Sequence, residues 1–393
     1  MKIRKTVGID LGTTNSVIAL LDATDSALIT GQDELGAKTV PSVVGYLPGE
    51  ARAVVGRAAA ALKGGASAPV ASVKRHMGLE RAFAVGPDTL TPPQVSARVL
   101  LRLRELLAYA LGDGSYQLDS AIITMPAYFN HNQIEATRQA GELAGYEVVE
   151  LLHEPTAAAI YYSWLGGHGD ATYLVYDLGG GTFDVSVIRK RYNDYEVLSV
   201  SGDPFLGGDD FDRLLASHLL AELRDQRVEI TEASPEFAKL VHVAEGVKMD
   251  LTTHERVERF IPDVLTAPDG RGVSLTVDVD RATFQRLIKD KVARTIECCH
   301  EALARAHERA DLRLGDVDYL VLVGGSSRVP LVREMVRAAF CNPALVEHVR
   351  NPEPLLSEPD LCVAYGAALR AATYGTRYLF PDLKRPHSFL PDL

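Results

Sequence analysis

The chain is 393 residues long and 47% hydrophobic, 24% charged and 7% aromatic, with 20 prolines. This describes a folded chain large enough for two or three cores and excludes a disordered tail, a small disulfide scaffold and a collagenous rod. Lys and Arg number 41 against 52 Asp and Glu, a formal net charge of −11, so no nucleic-acid partner is expected and only a local basic pocket has room.

The N-terminus runs directly into Val7-Gly8-Ile9-Asp10 without an apolar leader segment, and no stretch reaches the roughly 18 uncharged apolar residues of a membrane span. Cys298, Cys299, Cys341 and Cys362 form no C-x-x-C pair and read as reduced, mostly core-facing thiols. The expectation is a cytoplasmic protein that does not enter a membrane.

The first predicted element, Thr6 to Asp22, is an apolar β-branched run, then Asp10 to Asn15, then a second apolar run. It reads as a β-hairpin with a wide tip. That tip combines a carboxylate, two hydroxyls and turn backbone N–H groups, the set needed to hold a phosphate and a hydrated metal. Gln94 to Ala110 places Val95, Val99, Leu103, Leu106, Leu107 and Ala110 on one face, the pattern of a core-packing amphipathic helix. Ala121 to Pro126 reads as a strand leading to a helical stretch over 132–144. Glu154 then opens another helix with proline in its first turn. By itself it reads as an ordinary acidic residue favoured by the helix dipole.

Tyr173 to Ile188, YLVYDLGGGTFDVSVI, repeats the plan of the first hairpin. Asp177 precedes Gly179, Gly180, Gly181 and Thr182, and Asp184 follows. One glycine-rich hairpin is more often a structural turn than a site, but two in what read as duplicated lobes favour a shared phosphate site. Carboxylates beside a polyphosphate require a cation between them, so Asp10 and Asp177 read as water-mediated magnesium positions.

Further along, Arg256 to Asp280 reads as a small hairpin-bearing subdomain turning near Pro268, Asp269 and Gly270. Tyr319 to Ser327 repeats the strand-then-helix plan, with the helix over 329–339, and Gly324 to Arg328 allows close backbone approach to a flat or anionic group. Arg328 could stack on a purine. The prolines after Tyr378 mark an extended tail. Neither G-x-x-x-x-G-K-[ST] nor an early G-x-G-x-x-G occurs, which excludes a P-loop protein and counts against a dinucleotide fold.

With these residues in place, the chain closely resembles the nucleotide-binding domain of the 70-kDa heat-shock chaperones, the DnaK-type branch of the actin and sugar-kinase superfamily, from about Val7 to Ala372. The carrying motifs are GIDLGTTNS, VPSVV, VKRHMG, ITMPAYFN, EPTAAAIYY, YDLGGGTFDVSVI, GDPFLGGDDFD, VGGSSRVP and EPDLCVAYGAA. The resemblance implies an α/β actin-like ATPase fold in which two duplicated lobes, with mixed sheets and flanking helices, surround a central nucleotide cleft. Lobe I would span 1–170, with a small subdomain at about 38–95. Lobe II would span 171–372, with one at about 213–290, and 373–393 would be an extended tail or linker remnant.

It also implies roles. Gly12, Thr13, Thr14 and Asn15 match the first phosphate loop, and Gly179, Gly180, Gly181 and Thr182 the second, with Gly207 nearby. Asp10, Glu154, Asp177 and Asp184 match the acidic residues around the metal ions. Lys74 matches a catalytic lysine whose charge stabilises the γ-phosphoryl; without the resemblance it reads as a solvated surface lysine. Catalysis would fall to Lys74, Glu154, Asp177 and Thr182. Glu245, Lys248, Met249, Thr252, Gly324, Gly325, Ser327, Arg328 and Asp360 match the adenosine contacts, Met249 standing where some relatives have arginine. Pro126 matches the start of an allosteric relay, but Ile134 stands in place of an arginine of that relay. The family's leucine- and aspartate-rich linker would follow Ala372, where this sequence reads Tyr374-Gly-Thr-Arg-Tyr-Leu-Phe-Pro-Asp-Leu, and a chain without a peptide-binding domain is expected.

The expected function is therefore an ATP-binding, slowly hydrolysing nucleotide switch using ATP/ADP, Mg2+ and K+. Expected partners are adenine nucleotide, a J-domain co-chaperone, a nucleotide-exchange factor or a substrate domain outside this chain. A nucleotide-clamped regulator that hydrolyses poorly is the rival reading, favoured by Ile134 and opposed by Asp10, Lys74, Glu154, Asp177 and Thr182. A sugar or acetate kinase of the same superfamily is the third.

Overall fold

A computed structural model of the chain describes residues 3–22, 26–47, 49, 52–62, 68–112, 114–223, 230–232, 234–267 and 270–375. Two mixed sheets carry the architecture. In the first, the main path runs Glu147–His153, Tyr116–Met125, Ile3–Asp10, Asn15–Leu21, Leu28–Thr30. Ile3–Asp10 pairs antiparallel with Asn15–Leu21 and parallel with Tyr116–Met125. The second runs Asp194–Asp203, Phe183–Arg191, Ala171–Leu178, Tyr319–Val323, again an antiparallel hairpin with a parallel strand against its first arm. The repeated motif is thus a repeated piece of topology, and the whole is the actin-like mixed α/β fold expected from the sequence. Ala171–Leu178 is buried at seven of eight positions, which is why its apolar run is nearly continuous rather than alternating.

Helices cover these sheets where the periodicity placed them. Pro92–Leu111 starts at a capping box, with the Thr91 N–H donating to Gln94 Oε1 at 2.9 Å, which satisfies an otherwise orphaned donor at the helix start. Val95, Val99, Leu103, Leu106 and Leu107 are buried as expected, whereas Ala110 is exposed in the last turn. His131–Leu143 is capped by Asn130, whose Oδ1 accepts the Gln133 N–H at 3.1 Å. The helix expected over 329–339 starts one residue later. Pro330 disfavours the helical conformation for Val329, which is extended, and the Pro330–Val336 helix widens into a π-turn at Arg337–Cys341. Arg256–Thr266 and Gly272–Asp280 form the expected hairpin; its predicted turn residues Pro268 and Asp269 lie outside the described residues, as does 376–393 of the predicted tail. Cys298, Cys299, Cys341 and Cys362 are buried free thiols. Among the described residues no helix is long and apolar enough to cross a membrane.

Two helices, Glu154–Gly166 and Cys362–Gly375, bind the sheets together. Their apolar cluster includes Val17, Ala19 and Ile122 from the first sheet and Tyr173, Val175 and Val321 from the second. The helices approach closely because Gly366 has no side chain: a Cβ there would lie 1.8 Å from the Ala157 carbonyl oxygen. The same packing sets the first turn of Glu154–Gly166 beside the ends of both hairpins.

Candidate functional site

Each hairpin carries an aspartate at or one residue before the end of its ladder: Asp10 is in the last pair of the first, and Asp177 precedes the last pair, Leu178 and Phe183, of the second. Asp10 pairs with Val17, so the chain from Leu11 to Thr14 turns beyond the last paired residues. In the second sheet Asp177 sits directly opposite Asp184, and Gly179 to Thr182 makes the tip, closed by the Gly179 N–H donating to the Thr182 carbonyl at 3.1 Å. The two tips touch. A Cβ on Gly180 would stand 2.3 Å from Thr14 Oγ1, so glycine is required where the loops meet.

Neighbouring elements fix both tips. Ser42 donates its hydroxyl to the Gly12 carbonyl and its N–H to the Thr14 carbonyl, each at 2.8 Å, and shares a buried hydrogen bond with Ser16. The second tip receives the Gly208 N–H at the Gly179 carbonyl, 3.0 Å, and the Asp209 N–H at the Gly180 carbonyl, 2.6 Å. Gly207, the residue before the helix Gly208–Glu222, donates its N–H to Asp210 Oδ2 at 2.9 Å.

Lys74 lies in the 3-10 turn Val73–His76 and pairs with Glu154, the first residue of its helix. Their side chains are only 10% and 12% exposed. Arg75, beside it, donates to the Gly181 carbonyl, linking this turn to the second tip. Asp10 accepts the Thr124 hydroxyl at 3.2 Å. Asp10, Glu154, Asp177 and Asp184 therefore gather with one ammonium among them. Burial, then the Glu154 charge, pushes the Asp10 carboxyl up to about 7, against the pull of Lys74. Asp184 is pushed to about 7 by the same causes, with Lys74 and the Thr182 hydroxyl opposing. Asp177 rises well above the ordinary range through burial, Glu154, Asp184 and Asp10. Burial alone would depress the Lys74 ammonium, but Glu154 and Asp10 outweigh it and hold it above its usual value.

Such a surplus of buried negative charge calls for a cation. Among the described residues no three His, Cys, Asp or Glu side chains form a cage for direct ligation. The donor set is hard oxygen, spread over two loops, and fits an ion that keeps several of its waters, as magnesium does.

The remaining predicted residues lie on two further elements. Glu245, Lys248, Met249 and Thr252 follow one another at helical spacing along Pro235–Leu251 and its C-cap. Lys248 turns inward, donating to Asp212 Oδ2 at 2.8 Å and to the Gly208 carbonyl at 3.3 Å. Met249 is 63% exposed. Glu245 lies 3.6 Å from His242, and the Thr252 hydroxyl donates to the Met249 carbonyl at 2.6 Å. Opposite, Gly324 and Gly325 lead into the turn Gly325–Arg328. Ser326 donates to the Gly179 carbonyl at 3.0 Å, whereas the buried Ser327 donates to its own Val323 carbonyl at 2.6 Å and presents no hydroxyl outward. Arg328 holds Asp360 through two N–H groups at 2.9 and 3.1 Å.

Pro126 lines a narrow cleft with Tyr128, Glu154, Asp177 and Asp184. Ile134 is not part of that group; it is half-buried in His131–Leu143. The Lys74 segment does reach the start of this helix, since a Cβ on Gly78 would lie 2.9 Å from the Asn132 backbone. Sequence reasoning missed Ser42, Arg75, Thr124 and Asp212. All four fall inside motifs that carry the resemblance, VPSVV, VKRHMG, ITMPAYFN and GDPFLGGDDFD, so the signal is present without a role attached.

The family model described as Hsp70 protein matches residues 6–380. The chaperone protein DnaK of two strains of Halobacterium salinarum is 38% identical over 377 residues, covering 94% of this chain and 56% of the relative. The chain thus spans little more than half the length of these curated relatives, and it belongs to the Hsp70 family.

Proposed function

We propose that this member of the Hsp70 family binds magnesium-ATP between the two hairpin tips and hydrolyses it slowly to ADP, as the nucleotide switch of a chaperone-type protein. The observation carrying this reading is the contact of the tips at Thr14 and Gly180, with the buried Lys74–Glu154 pair and Asp10, Asp177 and Asp184 gathered behind them. Backbone N–H groups of Gly12 to Asn15 and of Gly180 to Thr182 hold the phosphates. Lys74 leaves Glu154 for the γ-phosphoryl as charge builds on its oxygens, and Glu154 and Asp177 orient the attacking water in line with the breaking bond. Asp10, Glu154 and Asp177 would hold magnesium, whose charge would neutralise the phosphate oxygens. Thr182 and Asp184 suit a potassium ion. Lys248 and Glu245 take the sugar, with Arg328 and Met249 on either side of the base.

Residues 1–170 and 171–372 act as two lobes that close on the nucleotide, with small subdomains at about 38–95 and 213–290. A J-domain co-chaperone, an exchange factor or a substrate domain outside this chain reads the closure. Ile134 interrupts the relay from Pro126, so intrinsic hydrolysis and partner coupling are separable in this chain. The test is single-turnover hydrolysis of labelled ATP with magnesium and potassium, alongside equilibrium binding. Slow conversion that falls at least ~100-fold in Lys74→Ala, with affinity within a few-fold, is the expected result. Tight binding without conversion would establish the clamped regulator in its place.

A further inference from the structure

Asp212 carries a side chain whose chemistry the phosphate site does not use. It lies four residues after Gly208 in the helix Gly208–Glu222, so its carboxylate and the Gly208 carbonyl share one helical face. The Lys248 ammonium, from the helix Pro235–Leu251, bridges both. Asp212 is 3% exposed and the Lys248 side chain 12%. Among the described residues, Asp212 Oδ1 is buried with no hydrogen-bond partner. A half-satisfied buried carboxylate lowers stability and is poorly explained as helix glue, which an apolar pair would supply better.

Its surroundings supply another reason. A Cβ on Gly208 would lie 2.4 Å from Ser326 Oγ and 3.1 Å from Lys248 Nζ, and Gly208 itself is bonded to the second phosphate tip. The ammonium therefore stands where that tip, the Gly324–Arg328 turn and two helices converge. Two of its three N–H donors are committed to Asp212 and Gly208, leaving one for a ligand oxygen.

We infer that Asp212 is a positioning residue for nucleotide binding, holding the Lys248 ammonium in the direction that meets the sugar side of ATP and ADP. The inference rests on the nucleotide-binding reading above. Removing the carboxylate frees a long, flexible amine to swing toward Glu245 or solvent, so binding weakens while groups at the γ-phosphoryl stay in place. Asp212 is pushed up to about 7 by burial, with Lys248 opposing and Glu245 and Asp209 adding, so ordering by a charged partner is strongest above neutral pH.

The experiment is a double-mutant cycle on the full chain with Asp212→Asn, Lys248→Met and their combination. Fluorescent ADP titration and single-turnover hydrolysis at saturating ATP are the readouts. Asp212→Asn is expected to weaken ADP binding about tenfold, with the loss falling on affinity rather than on the single-turnover rate, and to have no further effect in the Lys248→Met background. Asp212→Glu, which keeps the charge, is expected to recover most of the loss. Should Asp212→Asn not fold, a smaller loss in Asp212→Glu that vanishes with Lys248→Met carries the same conclusion. Unchanged binding in Asp212→Asn, or losses that multiply in the double variant, would overturn the role of Asp212. Absence of nucleotide binding by the unmodified chain would overturn the reading of the site itself.

Discussion

Lys74 illustrates how far a single residue can be read before its surroundings are known. In sequence it is half of a Lys-Arg pair and indistinguishable from a solvated charge; in the fold it is nearly buried against Glu154. Apart from the resemblance carried by VKRHMG, only the contact across the chain decides. Asp10 and Asp177 were more legible because each ends an apolar run and precedes small residues, a local signature of a strand reaching a turn. Their burial has a consequence for stability. The Asp10 and Asp184 carboxyls stand at about 7 in the folded chain against about 3.9 when unfolded. The folded state thus holds protons that the unfolded state releases, and its stability is fully present below the unfolded value and lost as pH rises through 7. For the ligand-free chain this predicts a Tm about 5 °C lower at pH 8 than at pH 5.5, read by circular dichroism melts. Magnesium with ADP should reduce the difference by compensating the carboxylates. A Tm that rises over this range would mean these groups ionise freely in the fold.

At the level of elements, the glycine-rich tips were visible as hairpin ends, but their mutual contact was not. Alternation and turn residues predict each hairpin from its own sequence, whereas the approach of Gly180 to Thr14 depends on how two sheets are packed. The same limit hid Ser42 and Arg75, whose partners Gly12 and Gly181 lie in other elements. Gly180→Ala probes the contact directly. Its Cβ would meet Thr14 Oγ1 at 2.3 Å and Thr14 Cβ at 3.1 Å, so the tips must part by around an ångström or Thr14 must change rotamer. Because Gly180 is only half-buried, stability should change by less than about 1 kcal/mol. Phosphate N–H groups held on two loops lose their convergence, however, and ATP affinity should drop at least ~10-fold. Equilibrium titration beside a thermal melt separates the two effects. Wild-type affinity in Gly180→Ala would show that the tips do not need to touch to bind nucleotide.

Across the whole molecule, the repeat of hairpin plus parallel strand was readable from two similar motifs, while the joint between the sheets was not. That joint is a pair of helices rich in alanine, Glu154–Gly166 and Cys362–Gly375, whose small residues read only as apolar content until the packing is seen. Gly366 tests it, since two effects of replacing it by alanine oppose one another. Alanine favours a helix over glycine by about 1 kcal/mol, which alone would raise Tm. Its Cβ, however, would lie 1.8 Å from the Ala157 carbonyl oxygen and 2.5 Å from the Ala157 carbonyl carbon. Those atoms are backbone and cannot rotate away, so the helices must separate, at a cost of about 1–3 kcal/mol spread through an apolar cluster shared by both sheets. The clash should win, lowering Tm by several degrees. Because Glu154 begins one of these helices, the shift should also weaken its pairing with Lys74 and slow single-turnover hydrolysis, although neither Gly366 nor Ala157 reaches the phosphate tips. A higher Tm with unchanged hydrolysis would mean that the helices can part without disturbing the site, and that the close approach at Gly366 is not what holds the hairpin ends together.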